Sequence, residues 1–307
     1  MIKLPDSWLV IGTKSLVGSR FLELSEGNIT AIDSDELDVT SEQQVEEVLA
    51  NFPGEFVINF AGITDVEGVE KTRPNDSSNQ EKLDQNVAYK VNVLGTRYIA
   101  RACKKFGKFP IFISTGFVFD GKNGPYSEED QVASDPNDVS WYAWTKVLAE
   151  KEILDVNHLN IRISYPYRSE FAGKGDFARN FLNLYDGVVK GEREWYPIFT
   201  DQILTPTFID DLPQAVARLI DGGGKGTYHI TSPLPVTPYE FCCELLKVAR
   251  GVDSPENLVP KGTLMEFQNS HQGLAKKPLH GGEKIDKIQS LGFTPTAWKE
   301  GIVKAFG

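Results

Sequence analysis

Four short, largely apolar runs mark the first part of the chain: Trp8–Ile11, Ile29–Ile32, Phe56–Asn59 and Pro110–Ile113. None alternates apolar with polar in the way of a strand with one wet face, so the pattern predicts buried parallel strands. Between them lie helical stretches at Leu16–Leu24 and at Glu42–Asn51, the second preceded by Thr40 and Ser41 as cap candidates. A longer helix is predicted from Val87, Val91, Leu94, Tyr98 and Ala102, which step by four, three, four and four. Strand–helix alternation implies right-handed βαβ units and an α/β, doubly wound parallel sheet. Ligands of such sheets bind beyond the carboxyl ends of the strands, which directs attention to the loops after Ile11, Ile32, Ile58 and Ile113.

The polar stretch Lys71–Gln85, with Pro74, Asn75, Asp76, Ser77 and Ser78, reads as a poorly ordered insertion or lid. After about residue 165 the pattern loosens into aromatics, prolines and the Gly222-Gly223-Gly224 turn, with one further helix predicted over Tyr239–Arg250. The division expected is a cofactor-binding part over 1–164 and a smaller, mainly substrate-binding lobe over 165–307, interleaved with the last elements of the sheet.

Charge narrows the partners. With 32 Lys+Arg against 43 Asp+Glu the net charge is −11, which excludes a basic nucleic-acid binder held by phosphate contacts. Cys103, Cys242 and Cys243 show no zinc or disulfide spacing, so reduced, structural thiols and no metal site are expected. His158, His229, His271 and His280 are scattered and read as surface or packing residues. The first apolar run is far too short for a signal core or a membrane span, and the reading is of a soluble, cytoplasmic protein without a membrane partner.

Candidate chemistry gathers in the strand-end loops. The first strand runs into Gly12-Thr13-Lys14-Ser15-Leu16-Val17-Gly18 and then a helix, the layout that receives a dinucleotide pyrophosphate. Asp33 follows Gly12 by 21 residues, near the spacing of about 20 for the carboxylate that accepts an adenosine ribose hydroxyl. Ser15 stands where the middle glycine is usual, and a side chain there is expected to crowd a phosphate or force an unfavourable backbone angle. Taken alone, the loop also fits an ordinary strand–turn–helix connection.

Tyr142 and Lys146 share a helical face, where the ammonium would favour the phenolate and fit the phenol for proton transfer. Ser114-Thr115 at the fourth strand end offers a hydroxyl to a substrate carbonyl. A surface pair and a simple turn are the plainer readings of each motif separately. Together with the glycine loop and Asp33 they suggest nicotinamide-dependent redox chemistry at a carbonyl or alcohol. Trp141 and Trp144 beside Tyr142 read as packing residues.

The strings Val57–Val66 (VINFAGITDV), Ile113–Gly121 (ISTGFVFDG), Tyr142–Lys146 (YAWTK) and Asp201–Thr207 (DQILTPT) resemble the dTDP-4-dehydrorhamnose reductase family of extended short-chain dehydrogenases/reductases, in order along nearly the whole chain. The resemblance implies a Rossmann-type sheet with a smaller C-terminal substrate-binding lobe, and NADPH or NADH as cofactor. It places Gly12, Ser15, Leu16, Val17 and Gly18 at the phosphates, Asp33 at the ribose, and Asp38 and Val39 at the adenine. Ala61, Gly62, Ile63 and Thr64 then lie toward the nicotinamide ribose. Tyr142 would donate the proton, Lys146 would hold the ribose and tune Tyr142, and Thr115 would orient the carbonyl of a nucleotide-linked 4-keto-6-deoxy sugar. Asp33 would repel a 2′-phosphate and Lys14 would neutralise it, leaving the choice of nicotinamide open.

Two positions depart from the family's pattern at the substrate end: Gly116 where an aspartate is usual, and Tyr165 where a tryptophan usually touches the substrate. Arg162, Arg168, Lys174 and Arg179 offer cations to an anionic nucleotide sugar, with a solvated loop as the alternative. Other readings are an epimerase or dehydratase of a nucleotide sugar, and a non-catalytic nucleotide-binding regulatory subunit, since the regulatory subunit of methionine adenosyltransferase resembles the same family. The resemblance also admits a homodimer.

Overall fold

The structure is a computed structural model that describes residues 1–170, 173–271 and 273–307. Its centre is a six-stranded sheet built from β1 (Ile2–Ile11), β2 (Ser25–Ile32), β3 (Phe56–Asn59), β4 (Phe109–Thr115), β5 (Leu159–Ile163) and β6 (Gly226–His229), in the order β2-β1-β3-β4-β5-β6. Every neighbouring pair is parallel. The chain turns to opposite sides of β1 at β2 and β3, so the switch point that opens a ligand crevice lies beyond Ile11 and Asn59.

Uninterrupted apolar runs suit this sheet because both faces are covered. Trp8, Val10, Ile58 and Ile161 point into one core layer, while Leu9, Ile11, Val57 and Phe112 point into the other. The first layer is closed by Phe21 on α1 (Leu16–Leu24), the second by Val45 and Leu49 on α2 (Glu42–Asn51) and by Ile99 and Cys103 on α3 (Gly95–Phe106). Ser41 caps α2 as expected, its hydroxyl accepting from Gln44 N. The strand at Ile29–Ile32 departs from the buried reading: it is the sheet edge, and Thr30 and Ala31 are exposed.

The long helix also differs from its predicted face. Ahead of α3 the chain is helical from Val87, but Lys90–Leu94 form a π turn. The extra residue in that turn rotates the buried line onto Ala88, Tyr89, Asn92, Val93, Thr96 and Ile99; of the predicted face Ala102 is buried, Val91, Leu94 and Tyr98 are half-buried, and Val87 is 64% exposed. The stretch Lys71–Gln85 is ordered by specific bonds rather than loose. It contains a helical turn at Gln80–Gln85, its Arg73 donates to the carbonyls of Pro136 and Val139, and Thr72 O accepts from Asn86 Nδ2 at 2.7 Å.

Further helices include α4 (Trp141–Glu152), α5 (Phe177–Val189), α6 (Leu212–Asp221) and α7 (Pro238–Arg250). The last begins one residue before the predicted start, with Pro238 at its first turn and a reciprocal Thr237/Glu240 cap. Helices α5 and α7 share a separate core of Tyr167, Phe181, Phe241, Leu245 and Trp298 beside the strand ends. Strands β5 and β6 were not expected from the apolar pattern, because Asn160, Arg162 and His229 interrupt it; these polar side chains are nonetheless buried.

The three cysteines are buried and free. Among the described residues no group of His, Cys, Asp and Glu is arranged to hold a metal, and no helix is long and apolar enough to cross a membrane.

Candidate active site

A cavity of ≈ 530 Å³ opens beyond the carboxyl ends of β1, β3, β4 and β5, within the range of roughly 300–1,000 Å³ common for ligand sites. Its near end is the turn after β1. Gly12 has φ +83°, and a Cβ there would lie 2.5 Å from Ala61 N and 2.8 Å from Phe60 C, so only glycine lets β1 and the loop after β3 approach this closely. A Cβ on Gly18 would sit 2.4 Å from Gly12 O, which keeps α1 tight against the turn.

Ser15 corrects the expectation of strain. Its φ of −72° is ordinary, and its hydroxyl caps α1 by accepting from Gly18 N at 3.0 Å while donating to Gly12 O at 2.8 Å. Ser15, Leu16 and Val17 all line the cavity.

Asp33, Asp38 and Val39 lie outside the cavity lining. The Asp33 carboxylate accepts from Lys14 N, Thr13 Oγ1 and Ser34 N. Partial burial works to raise its pKa, but these hydrogen bonds hold it below the usual carboxylate range. The Lys14 ammonium pairs with Asp35, both side chains exposed. Asp38 takes the backbone and hydroxyl of Thr40 at 2.9 and 2.7 Å, and the Val39 side chain packs where Gly95 leaves room.

Beyond β3, Ala61, Gly62 and Thr64 line the cavity, whereas the Ile63 side chain turns into the core. Asn92 fixes this loop: its Oδ1 accepts from Ile63 N at 2.8 Å, and its Nδ2 donates to Ile63 O at 3.1 Å and to Thr145 Oγ1 at 2.9 Å. Asn92 thereby ties the loop to the residue before Lys146. The only sequence signal for it was a polar residue inside the helix, and the π turn hid its inward face.

Thr115, Tyr142 and Lys146 meet on one wall. Tyr142 is 8% exposed, and burial pushes its phenol up to about 12 against a hydrogen bond with the Thr115 side chain that lowers it. The expected lowering by Lys146 is not what dominates. Burial brings Lys146 down to about 8, opposed by Glu150, and its Nζ donates to Ile113 O at 2.6 Å. Behind Lys146, Glu150 is paired with Arg162 at 2.6 Å and accepts from Ser114 Oγ at 2.5 Å; Ser114 and Thr115 both line the cavity, the Ser114 hydroxyl being engaged by this support. Trp141 and Trp144 pack in the core around Tyr142, as predicted, and His229 is buried, its pKa driven down to about 3 mainly by burial.

The expected cation cluster divides. Arg162 is engaged by Glu150; Arg168 is 1% exposed and bonds Ser19, Leu16 O and Glu23 on α1; Arg179 bonds Asp176 and the carbonyls of Arg168 and Ser169. These three hold the fold together. Lys174 lines the cavity, joined by Lys277, which the sequence reading did not single out.

Tyr165 also lines the cavity, at φ +46°, its ring 5.3 Å from Phe117 and 5.0 Å from Phe177, its hydroxyl accepting from Gln202 Nε2 at 2.8 Å. Gly116 does not line it. The DQILTPT string is a brace: Asp201 caps the helix at Leu264–Ser270, Gln202 holds Tyr165 and Pro278 O, and Thr207 Oγ1 accepts from Ser164 N at 3.0 Å.

Known proteins are similar to this chain in sequence and in fold. The chain is 27% identical over 310 residues to the dTDP-4-dehydrorhamnose reductase of Aggregatibacter actinomycetemcomitans, covering 96% of both chains. It is 30% identical over 223 residues to a probable low-salt glycan biosynthesis reductase of Haloferax volcanii, covering 70% of this chain and 67% of that one. Its fold matches the crystal structure of the dTDP-4-dehydrorhamnose reductase of Bacillus anthracis in complex with NADP at TM-score 0.79 and 24% identity, over 98% of each chain. The family model described as RmlD substrate binding domain matches residues 7–306, and the chain therefore belongs to that family.

Proposed function

We propose that this chain is an NAD(P)H-dependent reductase of a nucleotide-linked 4-keto-6-deoxy sugar. The observation that carries the reading is the meeting of Thr115, Tyr142 and Lys146 on one wall of a cavity whose near end is the Ser15–Val17 turn. The names of its relatives, dTDP-4-dehydrorhamnose reductase among them, support the substrate class. The near end fits a dinucleotide: Gly12 admits no Cβ, and the turn leads into the start of α1.

The Ser15–Val17 turn would hold a reduced nicotinamide cofactor, which would supply the hydride for the ketone carbon. Tyr142, protonated at neutral pH because burial holds its phenol near 12, gives the ketone oxygen its proton, so the carbonyl becomes an alcohol. Thr115 orients that oxygen. The Lys146 ammonium offsets the phenolate left on Tyr142, one helical turn away. Lys174 and Lys277 face the nucleotide's phosphates on a protein whose total charge is −11. A cofactor-binding part over 1–164, a mainly substrate-binding lobe over 165–307 and a cytoplasmic location belong to the same proposal.

The test is oxidation of NADPH and of NADH with dTDP-, UDP- and GDP-linked 4-keto-6-deoxy sugars. Tyr142→Phe is expected to lower kcat by about 10²–10⁴ while leaving the nicotinamide Kd unchanged. A Tyr142→Phe protein with undiminished turnover would remove the reading.

A further inference from the structure

The space beside Gly116 is not empty. A Cβ at that position would lie 2.0 Å from Glu283 Oε1, 2.5 Å from its Cδ and 2.6 Å from Ser164 Oγ. The φ of Gly116 is not in the left-handed region, so its missing side chain is a matter of volume rather than backbone freedom. A carboxyl group from far along the chain occupies that volume.

Glu283 is built into its place. It is 4% exposed; Oε1 accepts from Ser164 Oγ at 2.7 Å, Oε2 accepts from Thr205 Oγ1 at 2.6 Å, and its own N–H donates back to Thr205 Oγ1 at 3.1 Å. The backbone on either side is held by Tyr126, whose N–H donates to Gly282 O at 2.8 Å and whose carbonyl accepts from Lys284 N at 2.7 Å. Glu283 thus joins three segments: Thr115-Gly116-Phe117 by contact, Ser164-Tyr165 by one carboxyl hydrogen bond, and the Asp201–Thr207 brace by one carboxyl and one backbone hydrogen bond; the first two segments reach the cavity.

We propose that Glu283 is a positioning residue for the substrate end of this site, supplying from the C-terminal part of the chain the carboxyl that fills the place of a side chain at 116. Through Ser164 it sets the orientation of Tyr165, whose ring packs on Phe117, and through its contact with Gly116 it sets the depth of Thr115. The Ser15–Val17 turn lies at the other end of the cavity and shares none of these bonds. Glu283 therefore governs the sugar nucleotide and not the nicotinamide. This assignment of a substrate end rests on the proposed reductase reading.

The experiment is an exchange of the carboxyl between the two positions, with Gly116→Asp, Glu283→Ala and the double variant. Gly116→Asp alone is expected to melt well below the wild type, and Glu283→Ala in the same chain to restore much of the loss. A double variant that melts no higher than Gly116→Asp overturns the exchange.

In kinetics, Glu283→Ala is expected to raise the KM for the 4-keto sugar nucleotide by about tenfold or more, while NADPH Kd, followed by tryptophan fluorescence, stays within about twofold. Glu283→Gln, which keeps the acceptor for Ser164, recovers part of that KM. An equal loss of NADPH and sugar-nucleotide affinity overturns the positioning role. If the wild type binds NADPH but reduces none of the sugars, the reductase reading fails, and the melting comparison by itself still decides whether Glu283 stands in for a side chain at 116.

Discussion

The two ends of the cavity are held in different ways. At the end assigned to the nicotinamide cofactor the turn is held mainly through backbone groups: Ser15 bonds Gly12 and Gly18 within three residues, and Asp33 bonds the backbone of its neighbour Ser34 and of Lys14, 19 residues away. Long-range contacts there lie behind the turn: Gly12 approaches Ala61, Asn92 holds Ile63, and Arg168 donates to Leu16 O. At the sugar end the decisive bonds cross the chain, from Ser164 to Glu283 over 119 residues and from Thr205 to Glu283 over 78. A turn made of backbone amides presents the same face to any dinucleotide, whereas a wall assembled from distant side chains is reshaped by a single exchange such as Gly116 with Glu283. The comparison explains how a chain can keep its chemistry while its specificity drifts.

Substitution at Gly12 gives the largest expected effect. Gly12→Ala adds a Cβ 2.5 Å from Ala61 N at a φ of +83°; strain and overpacking together should cost about 2–4 kcal/mol of stability, measured by urea unfolding. NADPH binding should fall with it. A Gly12→Ala protein with wild-type stability and NADPH affinity would show that the nicotinamide end is no more sterically constrained than an ordinary turn.

A pH scan sharpens the other side. Burial raises the Glu283 carboxyl to about 7, with the Thr205 and Ser164 hydrogen bonds and Arg162 pulling it down and Glu128 pushing it up. The folded protein therefore keeps this proton across a range in which the unfolded chain, with a carboxyl near 4.5, has lost it. Stability is expected to decline as pH rises from about 4.5 toward about 7, and Glu283→Gln to flatten that slope in thermal melts. An unchanged slope in Glu283→Gln would place the titration elsewhere.

Ser15→Gly carries the smallest effect. Glycine is nearly as good a cap as serine, so stability should change by a few tenths of a kcal/mol and NADPH affinity by no more than about twofold. A tenfold gain in affinity would mean that the serine side chain does crowd the phosphate, and that this end of the site is tuned by side chains as the other is.

The sequence by itself determined the elements whose causes are local. Apolar runs at Trp8–Ile11 and Phe56–Asn59 made strands because two covered faces need apolar side chains on both, and Ser41 started a helix because its hydroxyl reaches Gln44 N. The spacing of Tyr142 and Lys146 placed them on one helical wall for the same local reason.

Tertiary structure decided what depends on partners far along the chain. Burial, not the neighbouring lysine, sets the pKa of Tyr142. Arg162, Arg168 and Arg179 became internal ties because carboxylates and carbonyls met them there, while Lys174 and Lys277 were left facing the cavity. Strand β2 opened to solvent because it forms an edge of the sheet. Gly116 reads as a gap in one dimension and as occupied space in three, because the carboxyl that fills it lies 167 residues away in a chain whose folding alone brings the two together.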